Sequence, residues 1–450
     1  MIYAAGQFGW SLGSYAVSNL INYFYMSPQG ESGSVFPVFI FQGAVLGIAT
    51  VIGLLNAFGR VFDAITDPVV AGLSDRSTSR FGKRRVFMVI GGLPFAVFSV
   101  LVFTPIVDME STVNAVWLAV SLSIFYLGMT VYVVPFTAMI SEIGHTRKER
   151  LHLSALVSVA WALGFAVGNQ VYAVQAAFTP SFGATGAFQL TIVLFAVASL
   201  IAMYLPVFFV DERRYSEYHV SSEPPFKAVA TAFRSRNFIM FSLSDLMYWM
   251  ALTFTQTGIS FYVTLLLELP AGYASLLMTV LFVLSILFYI PISRVAARTG
   301  KKRLMLVAFG MLGLTFAVFF ALGTVNAPPA LQGVVIVAVA AFPIAALGIL
   351  PTAILSDIAA SEGIKKGTYK AGVFFGARNF IRKMGVSLAN LLFPSFLLLG
   401  RSVDNPLGVR LSAIAAGVFC LLGFVFFVLY REDEIEAVLQ EHEDVPQETE

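Results

Sequence analysis

The stretch Arg60-Val-Phe-Asp63-Ala-Ile-Thr-Asp67-Pro68 places two carboxylates inside an otherwise hydrophobic segment. Asp63 and Asp67 are four residues apart, so on a helix their side chains share one face. Each ionised carboxylate at the centre of a bilayer costs roughly 3 kcal/mol or more, and we therefore expect a cation to bind there. This predicts a cation-coupled membrane transporter. A structural ion pair with Arg60 is the alternative interpretation.

The composition of the whole chain is that of a membrane protein. Of its 450 residues 58% are hydrophobic and only 12% are charged, and the mean hydropathy is +0.82. Each apolar run is long enough for a hydrocarbon core of about 30 Å. The twelve runs are residues 3–26, 44–74, 86–106, 113–141, 151–177, 186–210, 238–266, 271–296, 303–325, 330–356, 370–400 and 406–430. Continuous apolar runs predict an all-α membrane protein with twelve transmembrane helices, and they exclude a β-barrel.

Basic residues concentrate in alternate loops, which predicts the orientation of the chain. They are Arg76, Arg80, Lys83, Arg84 and Arg85; Arg147, Lys148 and Arg150; Arg213, Arg214, Lys227, Arg234 and Arg236; Arg294, Arg298, Lys301, Lys302 and Arg303; and Lys365, Lys366 and Lys370. Because such loops stay cytoplasmic, we expect a multi-pass protein of the cell inner (plasma) membrane with both termini cytoplasmic. Carboxylates crowd residues 431–450, which we expect to form a solvated, disordered tail.

An internal repeat divides the chain into two halves. Thr137-Ala-Met-Ile-Ser-Glu142 recurs as Thr352-Ala-Ile-Leu-Ser-Asp357, and Gly82-Lys-Arg-Arg85 recurs as Gly300-Lys-Lys-Arg303. The copies lie about 215 to 218 residues apart, as two six-helix units related by a parallel repeat would require. The predicted organisation is a six-helix bundle over 1–210, a cytoplasmic loop over 211–236, a second six-helix bundle over 237–430 and the acidic tail over 431–450.

Several motifs, in span order, resemble the glycoside-pentoside-hexuronide:cation symporters, the branch of the major facilitator superfamily that includes melibiose permease. They are Tyr3-Ala-Ala-Gly-Gln-Phe-Gly-Trp10, the Arg60 to Pro68 stretch, Asp75-Arg-Ser-Thr-Ser-Arg-Phe-Gly-Lys-Arg-Arg85, and Gly367 to Lys383. Gln7-Phe-Gly-Trp-Ser-Leu12 and the Asp75 to Arg85 loop also resemble the plant sucrose transporters. The resemblance implies the major facilitator fold and symport of a sugar with a cation.

The resemblance further implies that Asp63 and Asp67 form the cation site and that Lys383 lies beside them. Asp63 and Lys383 each lie twelve residues from the basic end of their span, which puts both roughly 18 Å deep at 1.5 Å per residue. Lys383 would compete with the cation, and Arg60 would assist this coupling. The hydroxyls of Thr66 and Thr130 would complete an oxygen site for Na⁺, whereas one desolvated carboxylate would suit H⁺. The sequence therefore leaves both Na⁺ and H⁺ as candidates for the coupling ion.

The sequence departs from the family pattern where melibiose permease binds galactosides. Ser11, Val133 and Ser158 stand where that protein has two aspartates and an arginine, so a different substrate is expected. Aromatic rings stack on sugars and amides or carboxylates bind their hydroxyls, although such residues also serve helix packing. The candidate substrate residues are Gln7, Trp10, Ser11, Asn19, Tyr132, Trp161, Asp245, Tyr248, Trp249, Gln256 and Asn379. Asp245 needs a cationic partner, for which Arg378 and Arg382 are candidates; a structural pair and a substrate contact are both open.

Charged residues at the basic end predict a gate that closes that end by bridging helices. The gate residues are Asp75, Arg76, Arg80, Lys83, Arg84, Arg85, Glu142, Arg150 and Asp357, with Arg147, Lys365 and Lys366 alongside. Positive-inside topology explains the basic residues alone, but it does not explain the acidic ones.

No enzyme signature competes with transport. The chain has no phosphate-binding Gly-rich loop, no His or Cys cluster for a metal, and nothing that indicates nucleic-acid binding. We expect no cofactor, with Na⁺ or H⁺ as cargo, and a monomer. Two other functions remain open: a cation-coupled carrier of lipids, lysolipids or other small solutes on the same fold, and a sensor or assembly partner that does not transport.

Overall fold

The computed structural model describes residues 1–30, 33–45, 47–143, 147–210, 233–323, 326–366 and 371–443. The first half contains α1 (Ile2–Asn19), α2 (Ile21–Tyr25), α3 (Val51–Asp75), α4 (Arg85–Leu101), α5 (Thr112–Ile143), α6 (Arg147–Gly168) and α7 (Val171–Phe209). The second half contains α8 (Arg236–Phe261) with a π-helical turn (Tyr262–Leu266), α9 (Gly272–Thr299), α10 (Lys301–Phe320), α11 (Pro329–Lys366), α12 (Ala371–Leu397), α13 (Leu407–Val428) and α14 (Glu432–Glu443).

These helices supply the twelve predicted spans. Within the described ranges, seven helical stretches are long and apolar enough to cross a membrane by length and hydropathy alone. One of them, His152–Phe209, holds two spans, because Gly183 adopts φ +69° and breaks the helix. The others are α1 continued by α2, the shorter α4, and α3 and α12, which carry the charged residues of the site. The all-α, twelve-helix prediction is therefore confirmed.

The predicted start of the second span at residue 44 is wrong. Ala44–Val45 pairs with Ala49–Thr50 as a short antiparallel hairpin around Gly47, which adopts φ +84°. The helix starts only at Val51, where the Thr50 side chain accepts a hydrogen bond from the Gly53 backbone N–H at 3.1 Å. A glycine with positive φ followed by a threonine N-cap explains why an apolar run continues into residues that are not helical. A second hairpin pairs Gln29–Gly30 with Gly33–Ser34.

The prediction of a wholly disordered tail is also wrong, because α14 is a folded helix. The Glu432 carboxylate accepts hydrogen bonds from the backbone N–H groups of Lys301 and Lys302, at 3.0 and 3.1 Å, at the first turn of α10. Burial raises the pKa of Glu432 above its ordinary value. Ile435 is buried, and Leu439 packs against the core one turn later. Acidic residues favour a helix N-terminus, so the charges that predicted disorder instead start this helix. Residues 444–450 lie outside the described range.

The two halves contact each other mainly at the end opposite the basic loops. The Asn169 side chain donates to the Ser275 carbonyl at 2.7 Å, and the Ser387 hydroxyl donates to the Ala57 carbonyl at 3.0 Å. A Cβ on Gly53 would lie 2.8 Å from the carbonyl oxygen of Leu391, so α3 and α12 approach closely. The hydrogen bonds between the halves in which both partners are described residues lie at this end or in the Lys383 cluster at mid-height. In the described part of the chain the halves are therefore joined from mid-height to the far end.

The sequence repeat corresponds to a repeated local structure. Gly82 and Gly300 both adopt positive φ, at 109° and 86°, just before α4 and α10. Arg85 donates from Nε to the Val207 carbonyl at 2.7 Å, and Lys302 donates to the Val428 carbonyl at 2.9 Å. Each basic loop therefore binds the final carbonyls of the last span in its own half. The boundary predicted at 211–236 stays a prediction, because residues 211–232 lie outside the described range.

Candidate cation and substrate site

The structure brings Asp63 and Asp67 of α3 together with Lys383 of α12. The Lys383 Nζ lies 2.8 Å from an Asp63 carboxylate oxygen and 2.5 Å from an Asp67 carboxylate oxygen. The Asp63 side chain is 1% exposed, whereas the Asp67 side chain, one turn nearer the basic end, is 33% exposed. Two carboxylates with one ammonium leave this cluster with excess negative charge. It can exchange the ammonium for another cation from the side on which Asp67 is exposed.

Thr130 of α5 adds a hydroxyl oxygen to the carboxylate pair. Its Oγ1 lies 2.8 Å from an Asp63 oxygen and 3.3 Å from an Asp67 oxygen. Thr66, the other predicted hydroxyl, lies 3.3 Å from the Thr130 hydroxyl and donates to the carbonyls of its own helix. Thr130 is thus in direct contact with the carboxylates, and Thr66 is one step removed. Carboxylate and hydroxyl oxygens are the ligands of hard cations.

Arg60 does not pair with either carboxylate in this structure. Its Nη2 donates to the Ser18 hydroxyl at 2.9 Å, and its guanidinium lies 5.2 Å from the centre of the Tyr126 ring. The alternative of a structural Arg60 ion pair is therefore not what the geometry shows. Sequence reasoning missed Ser18 and Tyr126, since a serine and a tyrosine inside apolar runs carry no distinguishing signal.

Asp245 of α8 forms a bidentate ion pair with Arg378 of α12. Both of its carboxylate oxygens accept hydrogen bonds from the guanidinium at 2.9 Å, and its side chain is 1% exposed. Of the two candidate partners, Arg378 is thus the one that binds Asp245. Arg382, one turn further along α12, instead lies over the Trp249 ring at 4.9 Å from its centre.

The remaining substrate candidates fall into two groups. Three are satisfied by nearby backbone: Tyr132 donates to Met203, Asn19 to Tyr15 and Ser11 to Phe8. The other seven form no side-chain hydrogen bond with the described residues, and they differ in exposure. Trp161 and Asn379 are exposed, Gln256 is partly buried, Gln7 and Tyr248 are buried, and the indole nitrogens of Trp10 and Trp249 are buried with no hydrogen-bond partner among the described residues.

The predicted gate residues form ion pairs within their own halves. Asp75 pairs with Arg84 at 2.5 Å and lies 4.0 Å from Lys83, and Asp357 pairs with Lys301. These pairs of Asp75 and Asp357 each lie within one half, and the gating role of the charged residues stays a prediction. Arg76, Arg80 and Lys365 are exposed, and Arg85 binds the Val207 carbonyl. The side chains of Glu142, Arg147, Arg150 and Lys366 lie outside the described part of the structure.

Comparison with known proteins identifies the family. The description "MFS/sugar transport protein" belongs to the family model that matches residues 2–431. An isoprimeverose transporter of Lactiplantibacillus pentosus is 23% identical over 96% of this chain and 88% of its own length. The glucuronide carrier protein homolog of Escherichia coli (strain K12) is 23% identical over 85% of this chain and 84% of its own.

Two further similarities concern a lipid transporter and the fold. A sodium-dependent lysophosphatidylcholine symporter 1 of Gallus gallus is 26% identical over 84% of this chain and 78% of its own length. A crystal structure of the nucleoside transporter NupG superimposes with a TM-score of 0.65 at 14% identity, covering 96% of this chain and 98% of that one, which shows the fold alone. Members of the matched family are transporters and not enzymes, and their coupling ions are cargo and not cofactors. The chain belongs to the MFS/sugar transport protein family.

Proposed function

We propose that this transporter couples the movement of Na⁺ or H⁺ to the uptake of a sugar or glycoside by alternating access. The observation that carries the proposal is the Lys383 ammonium held between Asp63 and Asp67. Asp63 and Asp67 belong to the first half and Lys383 to the second. The same contacts therefore define a cation site and join the two halves.

Competition for the carboxylates provides the coupling. A cation that enters between Asp63 and Asp67 replaces the Lys383 ammonium, because both need the same oxygens. Once displaced, Lys383 no longer ties α12 to α3 at mid-height, so cation occupancy changes the balance between the two conformations. Thr130 takes part because its hydroxyl oxygen can turn toward a cation once it no longer donates to Asp63. Arg60 keeps positive potential near the site without occupying it.

The orientation is part of the proposal. With the basic loops cytoplasmic, both termini are cytoplasmic and the protein acts as a monomer in the inner (plasma) membrane. The contacts at the far end then close the outside, and the exposure of Asp67 makes the site accessible from the cytoplasm. The structure corresponds in this reading to an inward-open conformation. Asp75 and Asp357 would exchange their present partners for partners across the halves when the inside closes.

The substrate class rests on the relatives and on the side chains around the site. Isoprimeverose and a glucuronide are the solutes in the names of two relatives. Trp161 and Asn379 are exposed on α6 and α12, as a stacking ring and an amide for sugar recognition would be. The similarity to the lysophosphatidylcholine symporter makes a lysolipid the second candidate.

Transport in proteoliposomes tests the proposal. The purified protein is reconstituted, and uptake of labelled mono- and disaccharides, a glucuronide and lysophosphatidylcholine is measured under an imposed Na⁺ or H⁺ gradient. We expect at least one sugar to accumulate under one gradient, and accumulation to disappear in Asp63→Asn. That substitution keeps the shape of the side chain while removing its charge.

A second carboxylate variant serves as the control for the loss of charge at Asp63. Asp63→Asn should lose gradient-driven accumulation, whereas Asp433→Asn, which changes an exposed carboxylate on α14, should keep it. Accumulation of lysolipid but of no sugar would replace the sugar with the second candidate. Accumulation that is unchanged in Asp63→Asn would refute the cation site.

A further inference from the structure

Two successive turns of α12 face two successive turns of α8, and each pair of turns forms one side-chain contact. The helices run in parallel, since Phe238 contacts Phe374 near their starts and Phe254 contacts Phe393 near their ends. Between these contacts, Arg378 and Arg382 are four residues apart on one face of α12. Their partners on α8, Asp245 and Trp249, are also four residues apart and therefore also share a face.

Only the contact between Arg378 and Asp245 is balanced in charge. The Arg378 guanidinium binds both oxygens of Asp245 at 2.9 Å. The Arg382 guanidinium lies 4.9 Å from the centre of the Trp249 ring and forms no ion pair or hydrogen bond with any described residue. It is partly buried within a membrane span. The face of an aromatic ring stabilises the charge of a guanidinium much less than a carboxylate does.

The nearby carboxylates are already engaged. Asp245 and Asp63 both lie within electrostatic range of Arg382, together with the cationic Arg378 and Arg60. Asp245 forms two hydrogen bonds with Arg378, and Asp63 contacts Lys383 and Thr130. Neither carboxylate forms an ion pair or a hydrogen bond with Arg382.

The mid-height charges as a group confirm an excess of positive charge. The acidic members are Asp63, Asp67 and Asp245, and the basic members are Arg60, Arg378, Arg382 and Lys383. A coupling cation would increase this excess by one further charge. Buried charges are retained when they are paired, and the described residues supply one anionic partner too few for this group.

The contact between Arg382 and Trp249 also contains a hydrogen-bond donor without an acceptor. The indole N–H of Trp249 is buried and has no hydrogen-bond partner among the described residues. A buried donor without a partner costs about 1–3 kcal/mol in general, so such groups usually meet a ligand or a water. Trp249 thus adds hydrogen-bonding capacity beside the unpaired guanidinium of Arg382.

We propose that Arg382 and Trp249 form a subsite for an anionic group, a carboxylate or phosphate, on the transported solute. Arg382 supplies the planar pair of N–H donors that binds such groups in two-point fashion, and Trp249 supplies a ring surface and one further donor. The subsite rests on the proposed transport function and specifies its substrate class. It also links cation to solute, because a cation at Asp63 and Asp67 raises the local positive charge and so favours the anion.

Binding to matched pairs of probes tests the subsite. Methyl β-D-glucuronide and methyl β-D-glucoside differ only in a carboxylate against a hydroxymethyl group. Lysophosphatidylcholine and the corresponding monoacylglycerol differ in the phosphocholine group. Their affinities are measured calorimetrically on the full chain in lipid nanodiscs at saturating Na⁺. We expect the member that carries the anionic group, the carboxylate of the glucuronide or the phosphate of the lysolipid, to bind about 10- to 100-fold more tightly, as for a charge-assisted hydrogen bond.

Variants assign that preference to the subsite. Arg382→Gln should bring the two members of the pair close to equal affinity, and Arg382→Lys should keep part of the preference, because it keeps the charge but loses the planar fork. Arg298→Gln, which removes an exposed guanidinium at the basic end, should leave the preference unchanged. Binding of the neutral member and Na⁺-dependent thermal stabilisation report whether each variant is folded.

The outcomes separate the subsite from the transport function. A preference in the glucuronide pair identifies a sugar acid, and a preference in the lysolipid pair identifies a lipid headgroup; either supports the subsite. No preference in both pairs, no binding of either anionic probe, or a preference that persists in Arg382→Gln would overturn it. Gradient-driven uptake of the neutral glucoside without any anionic preference would refute the subsite alone. An anionic preference without any gradient-driven uptake would refute the proposed function alone.

Discussion

Replacing Lys383 with methionine is expected to strengthen Na⁺ binding and to abolish coupling. In the native protein Na⁺ must first displace an ammonium that lies 2.5 and 2.8 Å from two carboxylates. Breaking a buried ion pair costs about 3–5 kcal/mol. Since Asp67 is one third exposed, solvent screening reduces this cost to about 2–3 kcal/mol. At about 1.4 kcal/mol per factor of ten, Na⁺ affinity should rise about 30- to 150-fold.

The assay follows thermal unfolding of the purified protein as Na⁺ is added, with choline keeping the ionic strength constant. Na⁺ serves here as a probe of the oxygen cluster, whichever cation drives transport. Lys383→Met should unfold at a lower temperature than the native protein without Na⁺, because its carboxylates have lost their partner, and should be stabilised at lower Na⁺ concentrations. In proteoliposomes the same variant should exchange solute but not accumulate it.

Lys302→Met provides the matched control, since Lys302 binds a backbone carbonyl at the basic end and does not touch the cluster. It should bind Na⁺ as the native protein does. Unchanged or weaker Na⁺ binding in Lys383→Met, together with normal accumulation of solute, would refute the competition between the ammonium and the cation.

Three further changes have defined expectations. Thr130→Val removes a hydroxyl that lies 2.8 Å from the Asp63 carboxylate and should weaken Na⁺ binding about tenfold, measured by the same titration. Gly53→Ala puts a Cβ 2.8 Å from the Leu391 carbonyl and should lower stability by about 1–3 kcal/mol in thermal unfolding, whereas Gly72→Ala, with open space around it on the same helix, should not; equal effects would contradict the close approach. Burial raises the pKa of Glu432, so the folded protein binds that proton more tightly than the unfolded chain does; the unfolding temperature should therefore fall as the pH rises from the ordinary carboxyl range through this raised pKa, and Glu432→Gln should flatten that slope.

The fold could be predicted from hydropathy because each span must bury its backbone polar groups within itself. The contact among Asp63, Asp67 and Lys383 was predictable for a related reason. Charges in a membrane span need partners. The family resemblance grouped these three residues, and counting residues from the basic ends placed Asp63 and Lys383 at equal depth, with Asp67 one turn nearer the basic end. Hydropathy could not place the start of α3, since an apolar run contains no information on whether Gly47 turns the chain before Thr50 caps the helix.

Side-chain partners were less predictable than depths. Sequence reasoning offered Arg378 and Arg382 equally to Asp245, and only the rotation and register of α8 against α12 decide between them. The predicted gate charges lie at the expected end, but the structure pairs Asp75 and Asp357 within their own halves. A single sequence cannot report which of two conformations is populated, so it cannot fix partners that change between them.

The far-end contact between the halves has an energetic consequence. Most of its hydrogen bonds join hydroxyl or amide side chains to each other or to backbone carbonyls, as Ser387 does to Ala57 and Asn169 to Ser275, and the Arg401 guanidinium binds the Gln42 side chain. When such a bond opens into an aqueous vestibule, water replaces each lost partner, so each bond contributes only about 0.5–1.5 kcal/mol. One elementary charge crossing 100 mV of membrane potential releases about 2.3 kcal/mol. Each neutral hydrogen bond at this end therefore contributes less free energy than moving one ion across that potential releases.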